Sequence, residues 1–299
     1  MGPSVGMGKR QTVSLLMALA FAASAEAACH CGVVPEREND FFWENDKFGM
    51  RAYGPGNYHV WSGLDLFSKM PDAAFTCGDL LRNASKCGNW HVTPYKGVLD
   101  NYTMCASRGL GGVALFGDGE WKTYPTWEKC EIITNTSDLC EFKLIYPAFS
   151  SLGRMTYRIT LRRGESFFRN HVSFESPSLP PEFRPGPGLD VEPKRGHGGD
   201  LREDASLGVI SLFEDAKSES EGSTMTAVFI DPNKKHDVEI LTDHLNCRVL
   251  AVRKPSFTYW AGAAWSKAGE IVTAEQWHKE VLAFRNSVAT GKEHGKEMR

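Results

Sequence analysis

The 299-residue chain lacks an excess of either charge: 34 Lys and Arg stand against 37 Asp and Glu, for a formal net charge of −3. A nucleic-acid binder needs a basic field, so that class of partner is disfavoured from the start. No G-x-S-x-G, Walker or dinucleotide fingerprint occurs, which leaves serine-hydrolase and nucleotide chemistry unsupported and names no cofactor. Beyond the first thirty residues no apolar run approaches the roughly 20 residues that a membrane helix requires. A zinc set is missing too, because the Cys29-His30-Cys31 spacing is too tight and no second ligand pair follows it. No internal repeat is visible.

What is present begins with an address. Lys9 and Arg10 precede the apolar run VSLLMALAFAA, and Ala25 and Ala27 stand as in A-x-A before a cleavage site. Residues 1–27 therefore read as a secretory signal peptide, shorter than a membrane anchor, and the mature chain is expected to be secreted and free of the membrane. All eight cysteines follow the cleavage point, and an oxidising compartment favours pairing them. Cys77 with Cys87, and Cys130 with Cys140, are the simplest local pairs. Sequons at Asn83, Asn101 and Asn135 predict exposed, glycosylated loops.

Residues 28–290 read as one all-β domain, a two-sheet β-sandwich with a C-terminal helix. KFGMRAYG alternates, with Phe48, Met50 and Ala52 on one side and Lys47, Arg51 and Tyr53 on the other. RMTYRITLRRGESFFRNHVSFES is the clearest hairpin, turning at Arg163-Gly164. LGVISLF, TMTAVFI, HDVEILTD, CRVLAVR and SFTYWAGAAW predict five more strands. Between these groups, residues 176–206 are rich in Pro and Gly without a period and predict a long mobile loop. Thr273 and Gln276 form a capping box, after which Trp277, Val281, Phe284 and Val288 share one helical face. Residues 291–299 read as a disordered, solvated tail.

RENDFFWENDKFGMRAYGP, SGLDLFSK, GLGGVALF, YRITLRRGESFFRNHVSFE and FTYWAGAAWSKAGEIVTAEQWHKEV together resemble the family known as domain of unknown function 4861. The resemblance runs from Pro35 to Val288. It implies a secreted protein on a galactose-mutarotase-like supersandwich, associated with breakdown of uronate-containing polysaccharide. Fold does not fix reaction. Bacterial members carry a pattern like Y-H-x-D-H-G-E-G-x-D, where this chain has WHVTPYKGVLD. His91 and Asp100 keep their places. The inner cluster is replaced by Thr93, Pro94, Tyr95 and Lys96.

The expected partner is an acidic polysaccharide or its oligosaccharides, cleaved by β-elimination or by hydrolysis. Elimination across a uronate needs a cation for the carboxylate, a base for the C5 proton and an acid for the leaving oxygen. Arg51 suits the first role and His91 and Tyr53 the proton transfers. Trp43 and Trp260 offer stacking faces, and Glu44, Asp46, Tyr95 and Lys96 complete the candidate binding set. His171, His59 and His244 are weaker candidates. A glycosidase needs two carboxyls at a defined separation, and no pair is singled out by spacing. A structural account competes throughout: Glu38, Glu44 and Asp46 pairing with Arg37, Lys47 and Arg51 while the aromatics pack. Two further readings share the scaffold, a non-catalytic carbohydrate-binding protein and a small-molecule metabolic enzyme.

Overall fold

The computed structural model describes residues 29–56, 63–73, 76–102, 104, 106–122, 124–148, 151–191, 198–216 and 218–292. The expected signal peptide, His59, Cys105 and all but two residues of the expected tail lie outside them. Along the chain come β1 (His30–Val34), β2 (Asp40–Glu44), β3 (Phe48–Ala52), β4 (Leu64–Lys69), α1 (Cys77–Arg82) and β5 (Val98–Leu99). Next are β6 (Leu110–Gly117), β7 (Glu120–Trp121), β8 (Lys129–Asn135), β9 (Leu139–Tyr146), β10 (Met155–Arg162) and β11 (Phe167–Phe174). Then follow β12 (Arg184–Leu189), β13 (Gly199–Asp204), β14 (Val209–Glu214), β15 (Thr224–Ile230), β16 (Glu239–Thr242), β17 (Arg248–Ala251) and β18 (Ser256–Trp265). α2 (Ala274–Thr290) closes the described chain.

Alternating sequence explains the layers. On β10, Met155, Tyr157, Ile159 and Leu161 are fully buried while Arg158 and Arg162 stay in solvent. β10 lies in an eight-stranded sheet of order β13-β14-β15-β18-β11-β10-β9-β8. The layer packed on it is divided into two five-stranded sheets, β1-β2-β3-β4-β5 and β16-β17-β12-β6-β7. They touch where Leu64 bridges Gly109. One apolar core joins all three sheets, with Phe41, Trp43 and Met50 of the first, Val113 and Leu115 of the third, and Phe142, Phe168 and Tyr259 of the large one. The expected sandwich is present, with one of its two layers split.

α2 covers the outer face of the large sheet. Thr273 and Gln276 complete the capping box, and Trp277, Val281 and Phe284 pack on Phe167, Met225 and Phe229. Trp277 Nε1 donates to the Thr226 carbonyl at 3.2 Å, and Ser211 Oγ lies 2.6 Å from His278 Nδ1, so polar contacts fix the helix in place.

Residues 176–206 are not one loop. β12 lies between β6 and β17, and β13 pairs with β14 along its whole length. β12 reads Arg-Pro-Gly-Pro-Gly-Leu, and prolines cannot donate to a ladder, which is why composition argued against a strand. Its carbonyls still accept, Val252 donating to Pro185 O at 2.8 Å. A Cβ on Gly186 would lie 2.1 Å from the Leu250 carbonyl oxygen, so only glycine permits that approach. Residues 192–197, with Lys194 and Arg195, lie outside the described set.

The expected local disulfides are absent as well. No disulfide joins any two of the described cysteines, Cys29, Cys31, Cys77, Cys87, Cys130, Cys140 and Cys247, in this structure. Cys130 stands opposite Leu144 on β9, and Cys140 opposite Asn135 on β8. Four residues of strand, roughly 13 Å, thus separate Cys140 from the position Cys130 faces, beyond the reach of a disulfide.

Candidate functional site

The turn between β2 and β3 is built by Asn45. Its Oδ1 accepts from the Lys47 and Phe48 amides, and its Nδ2 donates to the carbonyls of Arg162 and Glu165 at 2.8 Å each. The chain therefore reverses at Asn45-Asp46, as the cost of burying unpaired carboxylates in one continuous strand requires. Trp43, Phe48 and Met50 enter the core. Arg51 stands directly across the ladder from Asp65 of β4.

Arg51 is the centre of a buried ionic cluster. Its Nη2 donates to Asp65 Oδ2 and, at 3.0 Å, to Tyr53 Oη, while Tyr53 Oη donates to Asp65 Oδ2 at 3.1 Å. Asp40 Oδ2 lies 3.5 Å from Nη1 and Asp100 Oδ2 lies 3.9 Å from Nη2. The guanidinium also packs 4.5 Å from the Tyr53 ring centre and 5.4 Å from that of Phe67. All three carboxylates, Arg51 and Tyr53 are buried.

His91 connects the cluster to solvent. Its Nδ1 is 3.2 Å from Asp100 Oδ2, and its side chain is 53% exposed. The imidazole stacks on Trp90 at 4.2 Å, and Trp90 stacks in turn on Phe67. The Asp100 amide donates to the Trp90 carbonyl at 3.0 Å, which closes the loop bearing His91 over the cluster.

Three carboxylates around one guanidinium crowd negative charge in a dry site. Burial pushes Asp65 up to about 6, with the Asp100 charge adding to it and Arg51 opposing it. Burial also raises Asp40. The hydrogen bond to Asp100 raises His91 above the ordinary imidazole range. Tyr53 is driven far above the phenol range, by burial first and then by the Asp65 charge, so it keeps its proton. The carboxylates hold Arg51 charged against its own desolvation. Asp65 and His91, both holding their protons more tightly than usual, thus share one connected network through Asp100, an arrangement suited to acid–base transfer.

The other candidates scatter. Trp43 has no exposed surface and packs on Phe142 and Phe168, so it offers no face to a sugar. Glu44 is buried, with Oε2 2.6 Å from Lys69 Nζ and accepting from the Cys77 amide. Asp46 accepts from Gly164 at the neighbouring hairpin turn. Tyr95 and Lys96 share the turn that follows His91, Lys96 with φ of 50° and Nζ 5.6 Å from the Tyr95 ring centre. Trp260 belongs to the large sheet, stacked on Phe229 with Arg169 at 6.0 Å, and lines a groove of about 470 Å³ beside α2 away from Arg51. His171 is engaged by Thr258 and Ser256.

Of the sequons, Asn101 is buried between Ser68 and Thr224, which corrects its assignment to an exposed loop. Asn83 is half-buried and Asn135 exposed. Asp40 and Asp65 escaped the sequence reading. A signal for Asp65 existed: in SGLDLFSK, Leu64 and Leu66 alternate with Asp65, Phe67 and Lys69, which places a carboxylate and an ammonium on one face of a strand beside Arg51.

Among known proteins, the chain is 24% identical over 278 residues to the uncharacterized protein P7 of Formosa agariphila, a match covering 88% of this chain and 68% of that one. Two solved structures overlay loosely. An α-mannosidase from Enterococcus faecalis V583 has a TM-score of 0.41 and 7% identity over 83% of this chain and 31% of its own. The galactosidase domain of the α-galactosidase-sucrose kinase AgaSK gives 0.38 and 8% over 79% and 42%. This chain therefore spans less than half the length of either structure. A family model matches residues 17–290, and the chain belongs to that family, the domain of unknown function DUF4861.

Proposed function

We propose that the chain is an exported carbohydrate-active enzyme that performs acid–base chemistry at His91 on an acidic, uronate-containing glycan. The observation that carries this reading is the His91–Asp100 pair seated on the buried Arg51–Asp65–Tyr53 cluster. His91 is the outward group, and it takes or returns the proton of the reacting carbon or leaving oxygen. Asp100 orients the imidazole and strengthens it as a base, the usual part of a carboxylate behind a catalytic histidine. Arg51 and Tyr53 change roles from the sequence expectation. Arg51 is committed to protein carboxylates and Tyr53 holds its proton, so both are positioning residues. Lys96 is an exposed cation on the turn after His91, on the same loop as the imidazole.

A second reading is favoured by the burial of Trp43, Arg51 and Tyr53, which leaves exposed His91 and Lys96 and half-buried Tyr95 as what the loop over the cluster presents. A protein that binds the glycan without turning it over would need no more than that. A panel of acidic and neutral oligosaccharides separates the two, scored by absorbance of unsaturated uronide, by new reducing ends and by calorimetric binding. Turnover by the parent that falls about 100-fold or more in both His91→Ala and Asp100→Asn, with binding kept, supports the enzyme. Binding without turnover supports the second reading, and neither overturns both.

A further inference from the structure

We propose that Cys140 is a disulfide partner shared by Cys29 and Cys31, a bond that ties the first strand to the large sheet. Cys29 and Cys31 are two residues apart on an extended segment and so project to one side of it. Asn135 clasps that segment. Its Oδ1 accepts from the Cys31 amide at 3.2 Å and its Nδ2 donates to the Cys31 carbonyl at 3.0 Å. Asn135 is also the cross-strand partner of Cys140, whose Sγ lies 3.6 Å from the same Oδ1. Cys29 donates its amide to Ser137 O at 2.9 Å, and its Sγ lies 3.8 Å from the carbonyl of Leu161, the residue opposite Cys140 on β10. The Cys140 thiol thus has those of both Cys29 and Cys31 within hydrogen-bonding reach. All three are buried in the main core, at 4%, 2% and 0% exposure. Three thiols converge here on one spot, held by backbone contacts that do not depend on the sulfurs.

The chemistry follows from burial. The neighbouring thiols and desolvation drive the Cys140 thiol far up, so it is no nucleophile once β1 is docked. The bond therefore forms before docking. A thiolate of the undocked Cys29–Cys31 segment attacks a small disulfide such as glutathione disulfide, breaking its S–S bond and releasing one glutathione. Cys140 then attacks the protein sulfur of the mixed disulfide and displaces the second glutathione. Two protein thiols are oxidised, one disulfide is reduced, and the two cysteine protons end on the two glutathiones. The remaining thiol of the trio can exchange with the bond without net oxidation.

The full chain, denatured, reduced and refolded in a glutathione and glutathione disulfide buffer, provides the test. Free thiols are alkylated under denaturing conditions, and the protein is digested without reduction. Cleavage after Glu131 separates Cys130 from Cys140. The expected product joins the Cys140 peptide to the Cys29–Cys31 peptide, with one alkylated cysteine remaining in the latter. Cys29→Ala should leave only the bond from Cys31, and Cys31→Ala only the bond from Cys29. The bond closes a loop of about 110 residues, so its reduction should lower Tm by roughly 10 °C or more. Alkylated Cys140 in the refolded parent, Cys140 joined to any other cysteine, or a bond between Cys29 and Cys31 themselves would each overturn the proposal. The parent alone gives this result, so a variant that fails to fold does not obscure it.

Discussion

Replacing Asp65 with Asn removes a charge from the crowded side of the Arg51 cluster while keeping the shape of the side chain. Asp65 rises from an ordinary 3.8 to about 6 because it is buried and faces the Asp100 charge. A carboxylate that holds its proton more tightly folded than unfolded contributes stability fully present below its unfolded value and lost as pH rises through its folded value. Over that window the unfolded chain binds fewer protons than the folded one, so stability falls with rising pH. A shift of about two units corresponds to about 3 kcal/mol, spread between about pH 4 and pH 7. Asn cannot ionise, so Asp65→Asn should show a flatter dependence by about that amount. The level at pH 7 is a separate matter. The variant gives up charge-assisted bonds to Arg51 and Tyr53, worth about 1.5–3 kcal/mol, while it relieves a similar repulsion, so the two effects nearly cancel there. Urea unfolding followed by tryptophan fluorescence at each pH from 4 to 8 reads the difference between parent and variant, in which titrations outside the Arg51 cluster drop out and what remains belongs to the coupled cluster. If the two curves run parallel within about 0.5 kcal/mol, Arg51 neutralises Asp65 completely and the idea of a proton held in the cluster is wrong.

His91 is raised by its bond to Asp100, so its stabilisation is complete below the ordinary imidazole value and lost as pH rises through the folded one. The Tm difference between the parent and His91→Ala should therefore shrink from pH 6 to pH 8, and a constant difference would deny the pairing. Glu44→Gln or Lys69→Met alone should cost about 3–5 kcal/mol, and the double variant clearly less than the sum, because each single change strands a buried partner. Gly49→Ala should destabilise by about 1–3 kcal/mol, since the new methyl would lie 2.2 Å from Cys77 Sγ, and Cys77→Ala in the same chain should recover part of that in a thermal melt. In material from a glycosylating host, mass mapping should find Asn101 unmodified, because its amide is buried on Thr224.

The stretch DFFWENDKFGMRAYG shows what alternation can and cannot disclose. Periodicity and the cost of buried carboxylates were enough to break it at Asn45 and to send Phe48 and Met50 inward, and the capping box and strand runs located α2 and β14 to β18. The site itself was half legible. Arg51, Tyr53 and His91 stood out as residue types, but their partnership with one another and with Asp100 needed β4 beside β3 and the His91 loop folded over both. Pairing order is not written in local pattern. Burial misled in both directions. A single period assigns one buried face per strand, but β2, β3 and β4 are buried on both, because α1 and the His91 loop cover the side away from the core. That cover takes Arg51 and Tyr53 off the surface and leaves them to set the charge around Asp65 and Asp100. It also concentrates the testable chemistry on His91 and Asp100, the exposed imidazole and the buried carboxylate behind it.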